Sequence, residues 1–157
     1  MKQNDLRAIA VVVVGLLAIP GLSYAAGSSS SAPAEQPDLY KQAKELVDEQ
    51  HYAQAIPLLE QSIEQKGEYA DALNLLGFSN RKLGNMNKAM TYYTKALNKE
   101  PEHLGANEYM GELYLELNDL PKAEERLAVL KTACGNCEEF DDLDGQIKDY
   151  KKAHGLS

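Results

Sequence analysis

Hydrophobic residues follow two different patterns along this chain. Near the start they form an unbroken run, AIAVVVVGLLAI, from Ala8 to Ile19. From Asp38 onward they recur three and four apart between polar residues, the spacing of one buried helix face. Between the two lies GSSSSAPAEQP, Gly27 to Pro37, which has no apolar period. That composition buries too little surface to offset its ordering entropy, so residues 26–37 are expected to form a flexible tether.

The second pattern returns every 34 residues. Numbered from Ala70, the copy ending at His103 has Leu73 at position 4, Leu76 at 7, Gly77 at 8, Leu83 at 14, Ala89 at 20, Tyr93 at 24, Ala96 at 27 and Pro101 at 32. The copy from Leu104 keeps the phase without insertion, with Met110 at 7, Gly111 at 8, Tyr114 at 11, Leu117 at 14, Ala123 at 20 and Leu127 at 24. Counting back from Ala70 gives a first copy from Gln36, with Leu39 at 4, Ala43 at 8, Leu46 at 11, Tyr52 at 17, Ala55 at 20 and Leu59 at 24.

Each copy predicts two helices joined by a turn, at Gln50-His51, Gly84-Asn85 and Asn118-Asp119. Gly84 and Asn85 both tolerate left-handed backbone angles. Gly77 and Ala89 are small where two helices must approach, while Leu73, Leu76, Leu83, Tyr93 and Leu97 fill the space between them. Pro101 cannot continue a helix and ends the second one. Pro57, inside the second helix of the first copy, predicts a late start or a kink there. Phe140, Leu143, Ile147 and Tyr150 stand at helical spacing and predict one more helix, giving seven and no strand.

These residues resemble the tetratricopeptide repeat, a helix-turn-helix unit of 34 residues. The resemblance covers Gln36 to Cys137 as copies 36–69, 70–103 and 104–137. It implies an all-α, right-handed helical solenoid whose end is closed by residues 138–157, since solenoid ends need a cap with one polar face. In this family the first helix of each repeat lines a concave surface, largely through positions 2, 5, 9 and 12. The resemblance therefore implies a partner-binding groove made of Tyr40, Lys44 and Val47, then Asp71, Asn74, Phe78 and Arg81, then Glu108, Glu112 and Leu115. Pro37 and Gly105 complete the set but offer little side chain. Phe78 there would either anchor an apolar residue of a peptide, flanked by Arg81 and Asn74, or pack between adjacent repeats.

Charge narrows the partner. The chain carries 24 acidic against 16 basic residues, a net charge of -8. Displacing counterions from phosphates needs the opposite balance, so nucleic acid is excluded as a partner. Glu108 and Glu112 favour a protein or peptide with Lys or Arg at one end. Self-association through a solenoid end or the convex face is a further expectation of the architecture.

The first hydrophobic run has its own meaning. Lys2 and Arg7 precede it, Pro20-Gly21 breaks it, and Ser23 and Ala25 offer a small-residue exit. That order describes a secretory signal peptide over residues 1–25. Its apolar run of 12 residues falls short of the roughly 20 that span a bilayer, so no stable membrane insertion is expected after cleavage. The expected destination is a bacterial periplasm.

Export bears on KTACGNCEEF, which holds the two cysteines, Cys134 and Cys137, at positions 31 and 34 of the third copy. Outside the cytoplasm such a pair is read first as a disulfide. A thioredoxin-like redox pair is the alternative, but that motif follows a strand, and Glu138, Glu139, Asp141 and Asp142 would raise a thiol pKa. Zinc needs four ligands, and His51, His103 and His154 are isolated. Reading FDDLDGQIKDYK as a calcium loop with Gly145 sixth puts Phe140 and Lys151 at the end ligands, and both fail. No Gly-x-Ser-x-Gly, His-Glu-x-x-His or phosphate loop is present. The sequence thus points to a non-catalytic scaffold without metal or cofactor.

Overall fold

The 34-residue phase reappears in the helix boundaries. The computed structural model describes residues 38–156, and the expected leader and tether, residues 1–37, lie outside that range. It contains α1 (Leu39–Asp48), α2 (Tyr52–Lys66), α3 (Ala70–Lys82), α4 (Met86–Lys99), α5 (Leu104–Glu116), α6 (Leu120–Ala133) and α7 (Glu138–Ala153). Helices α3, α5 and α7 begin 34 residues apart, and so do α2, α4 and α6. Only α1 departs, starting at Leu39, where the Asp38 carboxylate accepts hydrogen bonds from the Tyr40 and Lys41 amides at 3.1 and 3.4 Å. An aspartate in that place satisfies two of the amides a helix start leaves unpaired.

The turn inside each repeat is the same turn. Gln50, Gly84 and Asn118, all at position 15, have φ of 62°, 80° and 59°. In each repeat that residue's amide and the next one's bond back to the preceding helix, as Gly84 to Arg81 O (2.9 Å) and Asn85 to Asn80 O (2.8 Å). Asn85 itself has φ of -85°, so the left-handed residue is one per turn, not two. Pro57 neither delays nor divides α2, which runs from Tyr52 through Lys66. Its ring lies on the solvent side of the helix, so the missing amide costs a bond without disturbing the core.

Packing between helices depends on size matching at position 8. A Cβ on Gly77 would lie 2.5 Å from the Tyr93 ring, and Tyr93 is fully buried. The first repeat has the smaller Leu59 at position 24 and accordingly accommodates Ala43 at position 8, both fully buried. In the third repeat Gly111 is met by Leu143 of α7, whose Cδ2 would be 2.5 Å from an added Cβ. The last helix thus closes the array by entering the notch that glycine leaves. Leu143 and Ile147 are buried there with Leu115, Ala123 and Leu130.

Leu83, expected in the inter-helix core, is 44% exposed, as is its counterpart Leu117 at 48%. Both cap the C-termini of their helices, so their side chains leave the helix after its last packed turn. Cys134 and Cys137 occupy the end of α6 and the start of α7, with Cα atoms 5.8 Å apart.

Candidate functional site

Helices α1, α3 and α5, with the start of α2, enclose a pocket of about 500 Å³. From the first repeat it receives Tyr40, Lys44, Val47, Gln50 and Tyr52, and from the second Asn74, Leu75 and Phe78. His103, Gly105 and Tyr109 complete the floor, and Glu139 enters from α7. Expected groove residues Tyr40, Lys44, Val47, Asn74 and Phe78 are therefore brought together. Tyr52 and Tyr109, outside positions 2, 5, 9 and 12, join them.

The centre of the pocket is aromatic. Phe78 is half-buried, edge-on to Tyr52 at 5.9 Å and tilted against Tyr109 at 4.6 Å between ring centroids. It packs between repeats and also lines the pocket. Burial first, then Asp71, pushes the Tyr40 phenol up to about 12. Burial first, then Glu108, does the same for Tyr109. Both rings keep their hydroxyl proton at neutral pH and remain hydrogen-bond donors.

His103 holds one wall. Its Nδ1 accepts the Ala106 amide at 3.1 Å, capping α5, so the ring proton sits on Nε2 and faces the Asp71 carboxylate at 3.1 Å. Asp71 is thereby tied to the wall and does not line the pocket. Gly105 adjoins Asn74 so closely that a Cβ there would come 2.9 Å from Asn74 Nδ2. Asn74 is 7% exposed, and its Oδ1 has no hydrogen-bond partner among the described residues.

The remaining expected groove residues serve another purpose. Arg81 is 5% exposed and pairs with Glu112 and, at 2.7 Å, with Glu116. Glu112 also accepts a hydrogen bond from Gln146 of α7. These groups bind three successive first helices, α3, α5 and α7, into one network and are not free to meet a ligand. Leu115 is buried by α7. Glu108 is almost fully buried, and burial, reinforced by Glu112, Asp142 and Glu139, pushes its carboxyl up to about 8. Among the described residues no group of three or more His, Cys, Asp or Glu is placed to hold a metal ion.

Comparison with known proteins agrees with this architecture. Tetratricopeptide-repeat profiles match residues 40–100 and 80–147. The chain belongs to the tetratricopeptide-repeat family. A solved tetratricopeptide-repeat protein of Thermus thermophilus, TTC0263, superposes with a TM-score of 0.66 at 20% identity, covering 74% of this chain and 64% of that one. The Yersinia enterocolitica type III secretion translocator chaperone SycD superposes with a TM-score of 0.65 at 16% identity, covering 75% and 84%. A SycD complex with a peptide of the translocator YopD gives 0.62 at 18% identity, covering 73% and 88%. In sequence, this repeat protein is 28% identical over 147 residues to the rhomboid protease GluP of Bacillus subtilis (strain 168). That alignment takes in 94% of this chain but only 28% of GluP's length.

Proposed function

We propose that this chain is a non-catalytic scaffold that receives an extended protein or peptide segment in the pocket formed by α1, α3 and α5. The observation that carries this reading is the floor of that pocket. Three aromatic rings, Tyr52, Phe78 and Tyr109, stand beside a buried Asn74 amide whose oxygen has no donor. Aromatic faces suit apolar side chains, and an unpaired amide suits the backbone of an extended segment. Stacked helix pairs fix these groups before a segment arrives, which lowers the ordering cost of binding. The structure of SycD in complex with a YopD peptide supports a peptide partner for this fold.

The test is direct binding of the full chain to an array of immobilised peptides, repeated with Phe78→Ala. Loss of about tenfold or more in affinity, with helical content intact, supports the reading. Binding indifferent to Phe78→Ala overturns it. Arg81→Ala is unsuitable as a second probe, because it strips Glu112 of its cation inside the protein.

The same proposal places the chain outside the cytoplasm, supported by the charged, apolar, then small-residue order of residues 1–25. In that compartment Cys134 and Cys137 form a staple joining α6 to α7, supported by Cα atoms 5.8 Å apart, within the span a disulfide bridges. Alkylation of unreduced exported protein should find no free thiol, and two free thiols would dismiss the staple. Replacing both cysteines by Ser should cost about 2 kcal/mol by loop-closure entropy for so short a loop.

A further inference from the structure

One end of the pocket differs in chemistry from the rest. Asn74, Tyr109 and Glu139 line it together, and Gly105 lets the backbone of α5 lie against the buried Asn74 amide. Asn74 Oδ1 is buried without a donor, and a buried acceptor in that state is completed by a ligand, a water or another side chain. The neighbouring imidazole is no candidate, since His103 is engaged on both nitrogens.

Behind Glu139 the acids accumulate. Glu108 is 7% exposed. Glu112 faces it from its own helix, Glu139 and Asp142 face it from α7, and Arg81 faces it from α3. Arg81 is already engaged by Glu112 and Glu116. A second cavity of about 790 Å³ opens beside Glu139, along the turn between α4 and α5, and adds Glu100 and Glu102 against Lys99. An acceptor without a donor and carboxylates short of cations are both met by one kind of group, a hydrogen-bonding cation. The other end differs, because there Lys44 is paired with Asp48 at 3.0 Å.

Resting on the groove reading above, we propose that the α5–α7 end of the pocket is a subsite for a lysine or arginine side chain of the bound segment, received by Glu139 and the Asn74 amide oxygen, and that its arrival draws the proton off Glu108. The incoming side chain arrives already charged. Glu108, held as the neutral acid by burial and by the carboxylates around it, becomes a carboxylate, and its proton leaves to solvent. Burial is the main cause that keeps Glu108 neutral. A cation near Glu139 offsets the share added by the carboxylates around it, so binding and deprotonation assist each other. Affinity then rises with pH as the free protein's Glu108 approaches its own pKa.

The probe is a library of N-acetylated, C-amidated hexapeptides differing at one position among lysine, arginine, glutamine, norleucine and glutamate. Their binding to the full chain is measured by calorimetry in buffers of different ionisation enthalpy. Lysine and arginine peptides should bind about tenfold tighter than glutamine ones and release up to about one proton near neutral pH. Glu139→Gln should remove most of that preference. Glu108→Gln should remove the proton release and flatten the pH dependence between about pH 6 and 8. Peptides that bind without regard to charge would sink the subsite while leaving the groove reading intact. A cation preference without proton release would remove Glu108's part and keep that of Glu139. If no peptide in the library binds, the groove reading and the subsite fall together.

Discussion

Glu108 shows at the scale of one residue how burial turns an ordinary acid into a pH-sensitive one. Its carboxyl is raised to about 8 in the folded protein, against about 4.3 in an unfolded chain. The folded state therefore holds a proton that the unfolded state gives up. Its contribution to stability is fully present below the unfolded value and is lost as pH rises through about 8. Glu108→Gln, which cannot ionise, should accordingly stabilise the protein by about 1–2 kcal/mol at pH 8 and change little near pH 4. Thermal melts of both proteins across that range measure it, and a difference independent of pH would contradict it. Gly77 makes the complementary case in the core. Gly77→Ala should cost about 1–3 kcal/mol through overpacking, because the added methyl meets the buried Tyr93 ring. Adding Tyr93→Leu, which imitates the Ala43–Leu59 pairing of the first repeat, should recover part of that loss in a double-mutant cycle.

At the scale of the element, local patterns were legible and reciprocal ones were not. Seven helices, the turns at position 15 and the burial of position 8 follow from spacing, because each depends on residues near in sequence. The pocket lining does not. A table of inner positions finds Tyr40, Lys44, Asn74 and Phe78, yet it cannot tell that Arg81 turns inward to Glu112 or that α7 covers Leu115. Those outcomes depend on what stands one repeat further along. Tyr52 and Tyr109 were missed for a similar reason, since they reach the pocket by packing against Phe78 and not by their own repeat position. The turns carry an element-scale prediction. Gln50 adopts φ of 62° where the second repeat has glycine, and a left-handed backbone costs a residue with a Cβ about 1–2 kcal/mol. Gln50→Gly should therefore stabilise the first repeat by about 0.5–1 kcal/mol after glycine's larger entropy loss. Chemical denaturation reads this directly, and a destabilised variant would show the turn to be held by the Gln50 side chain.

For the whole molecule, the stacking order sets which part opens first. Among the described residues, each helix touches only its sequence neighbours and, for first helices, the first helix of the adjacent repeat, so stability is close to a sum of repeats and their junctions. The first repeat combines a left-handed Gln50, a proline within α2 and a ten-residue α1. Hydrogen exchange should thus be fastest in α1 and α2 and slowest in α3 to α5. Slowest exchange in α1 would contradict this picture of the array. The ion pairs of Arg81 give that sum a direction. Helix phase alone would let any repeat be removed, since every junction falls at the same interval. Removing residues 70–103, however, would bring Val47, at position 12 of the first repeat, to the place of Arg81 opposite Glu112. The shortened chain would bury an acid without its cation, a loss larger than that of a repeat alone, and Val47→Arg should restore much of it in thermal melts. The repeats thus share one geometry but are not interchangeable parts. Loss or duplication of the second repeat is penalised unless a charge changes with it, so this pair constrains how the chain can grow or shrink over evolutionary time.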